Sequence, residues 1–150
     1  MTAQDDERRP QEGVADPGSV SQLRSAGNDE RHPLQEISSA MVQIYKDQFG
    51  RGPTKVRTHY AGPDTVICLL EHSFTPAERN LQAMGEHQRL RDVRLFFQYA
   101  EESRFIVPVE RATGRKVRAF ISGVDTSADV SAEMFVLEPE GAPPGDDPAT

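Results

Sequence analysis

The sequence predicts a small α+β domain in which two helices cover one face of a four-stranded antiparallel sheet, in the order αββαββ. Two stretches carry apolar residues at steps of three and four, the period of a helix that is buried along one side. Each stretch is followed by two short segments with the alternating or continuous apolar pattern of strands. The chain has 150 residues, enough for one domain whose core needs no disulfide or metal.

The first predicted helix begins at Pro33 and ends before Gly50. Its apolar residues form a single stripe, made of Leu34, Ile37, Met41, Ile44, Tyr45 and Phe49. Gly50 follows the last of them and can adopt the left-handed conformation that commonly ends a helix. We therefore expect a helix stop at Gly50, followed by a tight turn.

Two strands are predicted next, joined by a Gly-Pro turn. Residues 54–61 alternate, with the basic side chains of Lys55, Arg57 and His59 on one side, as in a half-buried strand. Residues 65–71 are apolar on both faces, which indicates a central strand that pairs antiparallel with its predecessor.

The second helical region begins at a capping box. Thr75 is followed by Pro76 and Glu78, so a helix is predicted to start at Pro76 and to be interrupted by Gly85. A longer helix should resume near Glu86. Its predicted buried face is Leu90, Val93, Phe97 and Ala100, and its predicted water-facing residues are Arg89, Arg91, Asp92 and Arg94.

Pro108 should kink or break this second helical region, which we expect to end near residue 113. A proline inside a helix removes one backbone hydrogen bond and clashes with the carbonyl four residues earlier. Residues 116–124 and 131–137 then have the patterns of the last two strands.

The two ends of the chain carry its net charge of −7. Residues 1–32 hold seven acids and four bases, residues 138–150 hold four acids and no base, and residues 33–137 hold thirteen of each. The ends also have little apolar surface. We therefore expect disordered acidic tails at 1–32 and 140–150 around one folded domain at 33–139.

Compartment and redox state follow from simple counts. Cys68 is the one cysteine, which excludes an intramolecular disulfide and fits a reducing compartment. The sequence has no 18-residue apolar run and no signal-peptide pattern at its N-terminus. We expect a cytoplasmic protein that does not insert into a membrane and that reaches one only through a partner.

The candidate binding residues lie on the loop and strand that follow the first helix. The run Gly50-Arg51-Gly52-Pro53-Thr54-Lys55 lacks the spacing of a phosphate-binding P-loop. It could still contact an anion or an acidic partner, and the alternative is an ordinary helix cap with a solvated strand face. The candidate binding residues are Arg51, Lys55, Arg57, His59 and Glu71.

Metal, cofactor and catalytic sites are not expected. The four histidines have no metal-ligand spacing, and Cys68 lies in an apolar run typical of a core position. An enzyme or ligand sensor would need a pocket near Arg51, Glu71 and His72, and no nucleophile with a base and an orienting group is evident.

Aromatic residues on the long helix exceed what one buried stripe needs. Exposed aromatic patches commonly mark subunit contacts. We therefore expect a homodimer, with Phe96, Tyr99 and Phe105 as candidate interface residues.

Five motifs carry a family resemblance. They are Ile37–Val42 with Tyr45-Lys46, Phe49–Arg57, Leu70-Glu71 leading to Thr75–Arg79, Thr113–Val117, and Phe135–Pro139. Through them the chain resembles the MpsC-like family, a bacterial domain named after a sodium-translocating, membrane-potential-generating system. The chain departs from that pattern at Pro108 and at Ser122-Gly123. No catalytic residue follows from the resemblance, which implies a small cytosolic protein accompanying a membrane system for ion or inorganic-carbon transport.

Three functions are consistent with these observations. The first is a non-enzymatic accessory or regulatory domain that binds a partner, such as a membrane transport protein, through the segment from Gly50 to His59. The second is a small enzyme or ligand-sensing domain. The third is a nucleic-acid binder that uses the basic strand, which the balanced charge of residues 33–137 disfavours.

Overall fold

The computed structural model describes residues 17–141, and the side chains of residues 32–141. Four helices and four strands follow one another along this part of the chain. They are α1 (Pro17–Phe49), β1 (Lys55–Tyr60), β2 (Thr65–Glu71), α2 (Pro76–Ala83), α3 (His87–Ala100), α4 (Glu102–Thr113), β3 (Val117–Asp125) and β4 (Val130–Leu137).

The strands form one antiparallel sheet in the order β1-β2-β4-β3, which confirms the predicted α+β class. Along β2 the side chains of Val66, Cys68 and Leu70 are fully buried, while those between them are half-buried. The buried side of the sheet meets α1 and α4 in one hydrophobic core, to which Tyr45 and Phe105 contribute. The core therefore lies between the helices and one face of the sheet.

Several local predictions are confirmed. Gly50 has a φ of 76°, and this left-handed conformation ends α1. The N–H of Gly50 donates to the carbonyl of Lys46 at 2.9 Å. Thr75 accepts a hydrogen bond from the N–H of Glu78 and its own N–H donates to the Glu78 carboxylate, so the capping box is complete. Gly85, with a φ of 73°, separates α2 from α3.

The start of α1 differs from the prediction. The helix runs from Pro17 and contains Pro33 in its interior. The structure gives residues 17–32 as part of this helix, whereas residues 1–16 and 142–150 lie outside the described residues. A proline removes only one backbone hydrogen bond, and each further residue of an established helix adds one.

The break in the second helical region is also displaced. It lies at Glu101, between α3 and α4, and Pro108 is inside α4, where the prediction put a kink or a break. The bend at Glu101 directs α4 so that Phe105 and Val109 enter the core. Burial of Phe105 and Val109 decides where the chain turns, and the helix tolerates the missing N–H of Pro108.

The buried face of α3 is rotated from the predicted one. Leu90, Arg94 and Gln98 are its buried residues, while Val93 and Phe97 are exposed. The prediction placed Arg94 in water, yet its side chain is only 1% exposed. The reason is an ion pair, which is described below.

Candidate functional site

The predicted basic row is present on β1. The pairing of β1 with β2 sets Lys55 opposite Glu71 and Arg57 opposite Leu69. Lys55 Nζ lies 3.6 Å and Arg57 Nη2 lies 3.5 Å from the same Glu71 carboxylate oxygen. Both cations remain about half exposed, so these contacts are weak and leave the row with an excess of positive charge.

His59 continues this row at the next position on the same side of β1. Its Cα partner on β2 is Ile67, and its side chain is exposed. The structure therefore brings four of the five candidate binding residues onto one side of the β1–β2 pair. They are Lys55, Arg57, His59 and Glu71.

Arg51, the fifth candidate, lies apart from the row. Its guanidinium donates to the carbonyl of Phe74 at 2.8 Å and to that of His72 at 3.2 Å. Glu71 points instead toward Lys55 and Arg57. Arg51, Glu71 and His72 thus do not converge on a common point, and Arg51 stabilises the loop that links β2 to α2.

That loop, residues 72–75, is held by side chains from distant elements. The Asp129 carboxylate accepts hydrogen bonds from the N–H groups of Ser73 and Phe74 at 3.1 and 3.0 Å. The N–H of His72 donates to the carbonyl of Asp129 at 3.0 Å. His72 and Asp129 both have a positive φ, at 59° and 53°, which places two residues other than glycine in a strained region.

A buried ion pair supports the same loop from the other side. Arg94 Nη2 donates to Glu78 Oε1 at 2.7 Å and to the carbonyl of Ser73 at 3.0 Å. The guanidinium carbon of Arg94 also lies 3.6 Å from the centre of the Phe49 ring. Arg94 therefore joins α1, the loop and α2, which explains why α3 turns this residue inward.

The Glu78 carboxylate is ionised in this setting. Burial raises the pKa of Glu78, but hydrogen bonds from Arg94 and from the N–H of Thr75 outweigh that effect and hold the pKa below its usual 4.5. The capping box gave a sequence signal for Glu78. No local signal identifies Arg94, which lies 16 residues away in the chain.

A second buried carboxyl group, Glu133, was missed by sequence reasoning. The Tyr45 hydroxyl donates to Glu133 Oε1 at 2.7 Å. Within the described part of the chain, Glu133 Oε2, Ser131 Oγ and Gln98 Oε1 have no hydrogen-bond partner. Burial raises the pKa of Glu133 to about 7, and the hydrogen bond from Tyr45 keeps it from rising further.

A groove of about 740 Å³ lies along α1 and the outer edge of β1. Ser38 of α1 and Thr58 of β1 meet in it through a hydroxyl–hydroxyl contact of 2.6 Å. Its lining, as far as the described residues form it, includes no carboxylate. The lining residues are Leu34, Gln35, Ser38, Ser39, Val42, Gln43, Lys46, Val56, Arg57, Thr58 and His59.

The candidate interface residues divide between surface and core. Phe96 is 71% and Tyr99 is 43% exposed. Phe105 is fully buried and stacks on Phe120 with 5.4 Å between ring centres, so it is not available to a second molecule. The Tyr99 hydroxyl accepts a hydrogen bond from the N–H of Ser122 at 3.0 Å, which fixes that ring against β3.

Two further properties concern only residues that the structure describes. No group of three or more histidine, cysteine, aspartate or glutamate side chains in that part of the chain is placed to hold a metal ion. None of the described helices has the length and apolar character needed to cross a membrane.

Burial raises the pKa of the Cys68 thiol to about 12, in keeping with a core position.

Comparison with known proteins gives one finding. No curated protein and no solved structure matches the chain. A family model described as "Na+-translocating membrane potential-generating system (MpsC)" matches residues 31–139, which cover most of the chain and contain β1, the groove and the loop at residues 72–75. The chain therefore belongs to the MpsC family.

Proposed function

We propose that this protein is a non-enzymatic accessory or regulatory domain of a bacterial Na+-translocating membrane system, and that it acts by binding a membrane protein of that system. The family description supports the link to such a system. The observation that carries the binding role is the exposed row of Lys55, Arg57 and His59 on β1. The exposed cations of Lys55 and Arg57 attract an acidic surface and orient it.

A cytoplasmic location with membrane association through the partner is part of this proposal. We also propose a homodimer, in which Phe96 and Tyr99 of α3 contact the same residues of a second copy. Phe96 is a large apolar side chain with most of its surface in water, a feature typical of subunit contacts. Phe105 takes no part because it lies in the core.

A catalytic role is not supported by the site geometry among the described residues. Arg51 bonds two backbone carbonyls, and Glu71 meets the cations of β1. Arg51, Glu71 and His72 therefore do not form the grouping of a nucleophile, a base and an orienting residue that catalysis would need. A binding role needs no such arrangement.

Cosedimentation with membranes tests the proposal. The full chain is mixed with inverted membrane vesicles from cells that express an intact Na+-translocating system, and with vesicles from cells that lack it. We expect binding only to the first kind. The double variant Lys55→Glu with Arg57→Glu should lose that binding while it keeps its folded circular-dichroism spectrum.

Arg79→Glu with Arg118→Glu is the matched control, since it makes the same change in charge at two exposed residues away from the row. This control should still sediment with the vesicles. Equal binding by the wild type and by the Lys55 and Arg57 variant would refute the proposed surface. Equal binding to both kinds of vesicle would refute the link to the system.

A further inference from the structure

The groove between α1 and β1 points to the kind of partner that the domain binds. We propose that it takes an extended acidic segment of another protein, which adds to the outer edge of β1 as a fifth strand. This inference rests on the proposed function and names the chemistry of its partner.

The first argument is the open edge of the sheet. In the order β1-β2-β4-β3, β1 is an end strand with one neighbour among the described strands. The N–H of Ala61 donates to the carbonyl of Thr65 at 2.8 Å. Because hydrogen-bonded pairs alternate along an antiparallel ladder, His59 and Arg57 also bond toward β2.

The backbone groups of the residues that alternate with Arg57 and His59 therefore point away from β2. The backbone N–H and C=O groups of Val56, Thr58 and Tyr60 face away from β2, toward the outer edge of β1. Such a row of backbone donors and acceptors is a template for another strand, and several peptide-binding domains use it in this way.

The second argument is the charge of the groove. The whole chain has a net charge of −7, yet the described lining of this groove contains no carboxylate. It contains Lys46 from α1 and Arg57 and His59 from β1. A segment that carries carboxylates is therefore complementary to the groove, and a basic segment is repelled.

The third argument is the alternation of the two faces of β1. Arg57 and His59 lie on the face that bears the basic row, whereas Val56 and Thr58 lie on the face toward α1. Neighbouring side chains on paired strands lie about 5 Å apart on the same face. The added strand should therefore alternate acidic residues beside the basic row with apolar residues against α1, near Val42 and Leu34.

A second copy of this chain is a poorer occupant of the edge. In a symmetric antiparallel pairing of two β1 strands, the basic rows of the two copies would share one face of the joined sheet. Like charges across paired strands are destabilising. The acidic segment meets no such repulsion.

A labelled hexapeptide that alternates glutamate and valine is the probe. Its length matches the six residues of β1. Fluorescence anisotropy with the full chain at low ionic strength should show saturable binding that weakens as salt is added. Binding should also slow the hydrogen exchange of the N–H groups of Val56, Thr58 and Tyr60.

Two altered peptides separate strand addition from simple charge attraction without changing the protein. A peptide with lysine in place of glutamate should not bind. A glutamate–valine peptide that is N-methylated at the residues facing β1 keeps its charge but lacks the donors, and should bind at least about tenfold more weakly because the main-chain hydrogen bonds provide affinity. Equal binding by either altered peptide overturns the inference.

Arg57→Gln tests the groove itself, because Arg57 belongs to the basic row and lines the groove. Arg118→Gln is its control with the same loss of one positive charge. We expect about a fivefold to tenfold weaker complex for Arg57→Gln and no change for the control. No binding of the probe at millimolar concentration, or no difference between the variants, overturns the inference. Dimerisation in sedimentation that protects the same three N–H groups without any peptide would show that a second copy occupies the edge, and would also overturn it.

The peptide and vesicle experiments can fail separately. Vesicle binding that depends on Lys55 and Arg57, together with no peptide binding, refutes only the strand-addition inference. Peptide binding that meets all the criteria, together with no binding to vesicles, supports the groove as an acidic-strand site and refutes the proposed membrane system as its partner.

Discussion

Glu133 should make this protein less stable as the pH rises from 4.5 to about 7. Replacement of Glu133 by glutamine should abolish that dependence. The carboxyl group is buried in the core beside Tyr45, and its pKa in the folded chain is raised to about 7 by burial. Its usual value is 4.5. Between these two values the folded chain holds a proton that the unfolded chain has released.

The sign and the magnitude follow from this difference. A group whose folded pKa is raised contributes stability that is complete below its unfolded pKa and is lost as the pH rises through its folded pKa. The window from pH 4.5 to about 7 spans about 2.5 pH units, which at 1.36 kcal/mol per unit amounts to about 3 kcal/mol. The wild type should lose that stability on going from pH 4.5 to about 7.5, apart from contributions of other groups.

Glu133→Gln removes the titration and keeps an oxygen that accepts the hydrogen bond from Tyr45. The new amide nitrogen replaces a carboxylate oxygen, since Glu133 Oε2 has no hydrogen-bond partner among the described residues. We therefore expect the free energy of unfolding of the variant, relative to wild type, to rise by about 3 kcal/mol between pH 4.5 and about 7.5.

Urea unfolding of both proteins at several pH values measures this difference. Contributions that the two proteins share cancel in the comparison. Glu102→Gln, at an exposed position, serves as the control and should follow the wild type at every pH. A difference between Glu133→Gln and wild type that stays constant from pH 4.5 to about 7.5 would refute the reasoning.

Three further predictions follow. Arg94→Met should lower the free energy of unfolding by about 3–5 kcal/mol, because it leaves the Glu78 carboxylate buried without its partner. Adding Glu78→Gln should restore part of the loss. An unchanged urea midpoint in Arg94→Met would contradict the pairing. Gly50→Ala should cost about 1 kcal/mol by thermal or urea unfolding, since Gly50 has a φ of 76°; a neutral result would count against a strained cap. Phe96→Glu should shift a dimer toward monomer in sedimentation without loss of stability, because 71% of the Phe96 side chain is exposed; a monomeric wild type at high concentration would end the dimer proposal.

The sequence by itself determined the elements whose signals are local. Gly50 ends α1 because a residue without a side chain takes a left-handed conformation at little cost. Thr75 and Glu78 cap α2 through contacts three residues apart. The alternation of polar and apolar residues placed the four strands within a residue or two of their observed ends and put the basic residues of β1 on one side.

Only the tertiary structure decided which polar groups enter the core. Arg94 fits the water-facing pattern of its own helix, and its burial depends on Glu78 and on the ring of Phe49 in two other elements. Glu133 meets Tyr45, which lies 88 residues earlier. Hydrophobic periodicity records only the average polarity of a position, whereas a buried charge is stabilised by particular partners that the fold brings together.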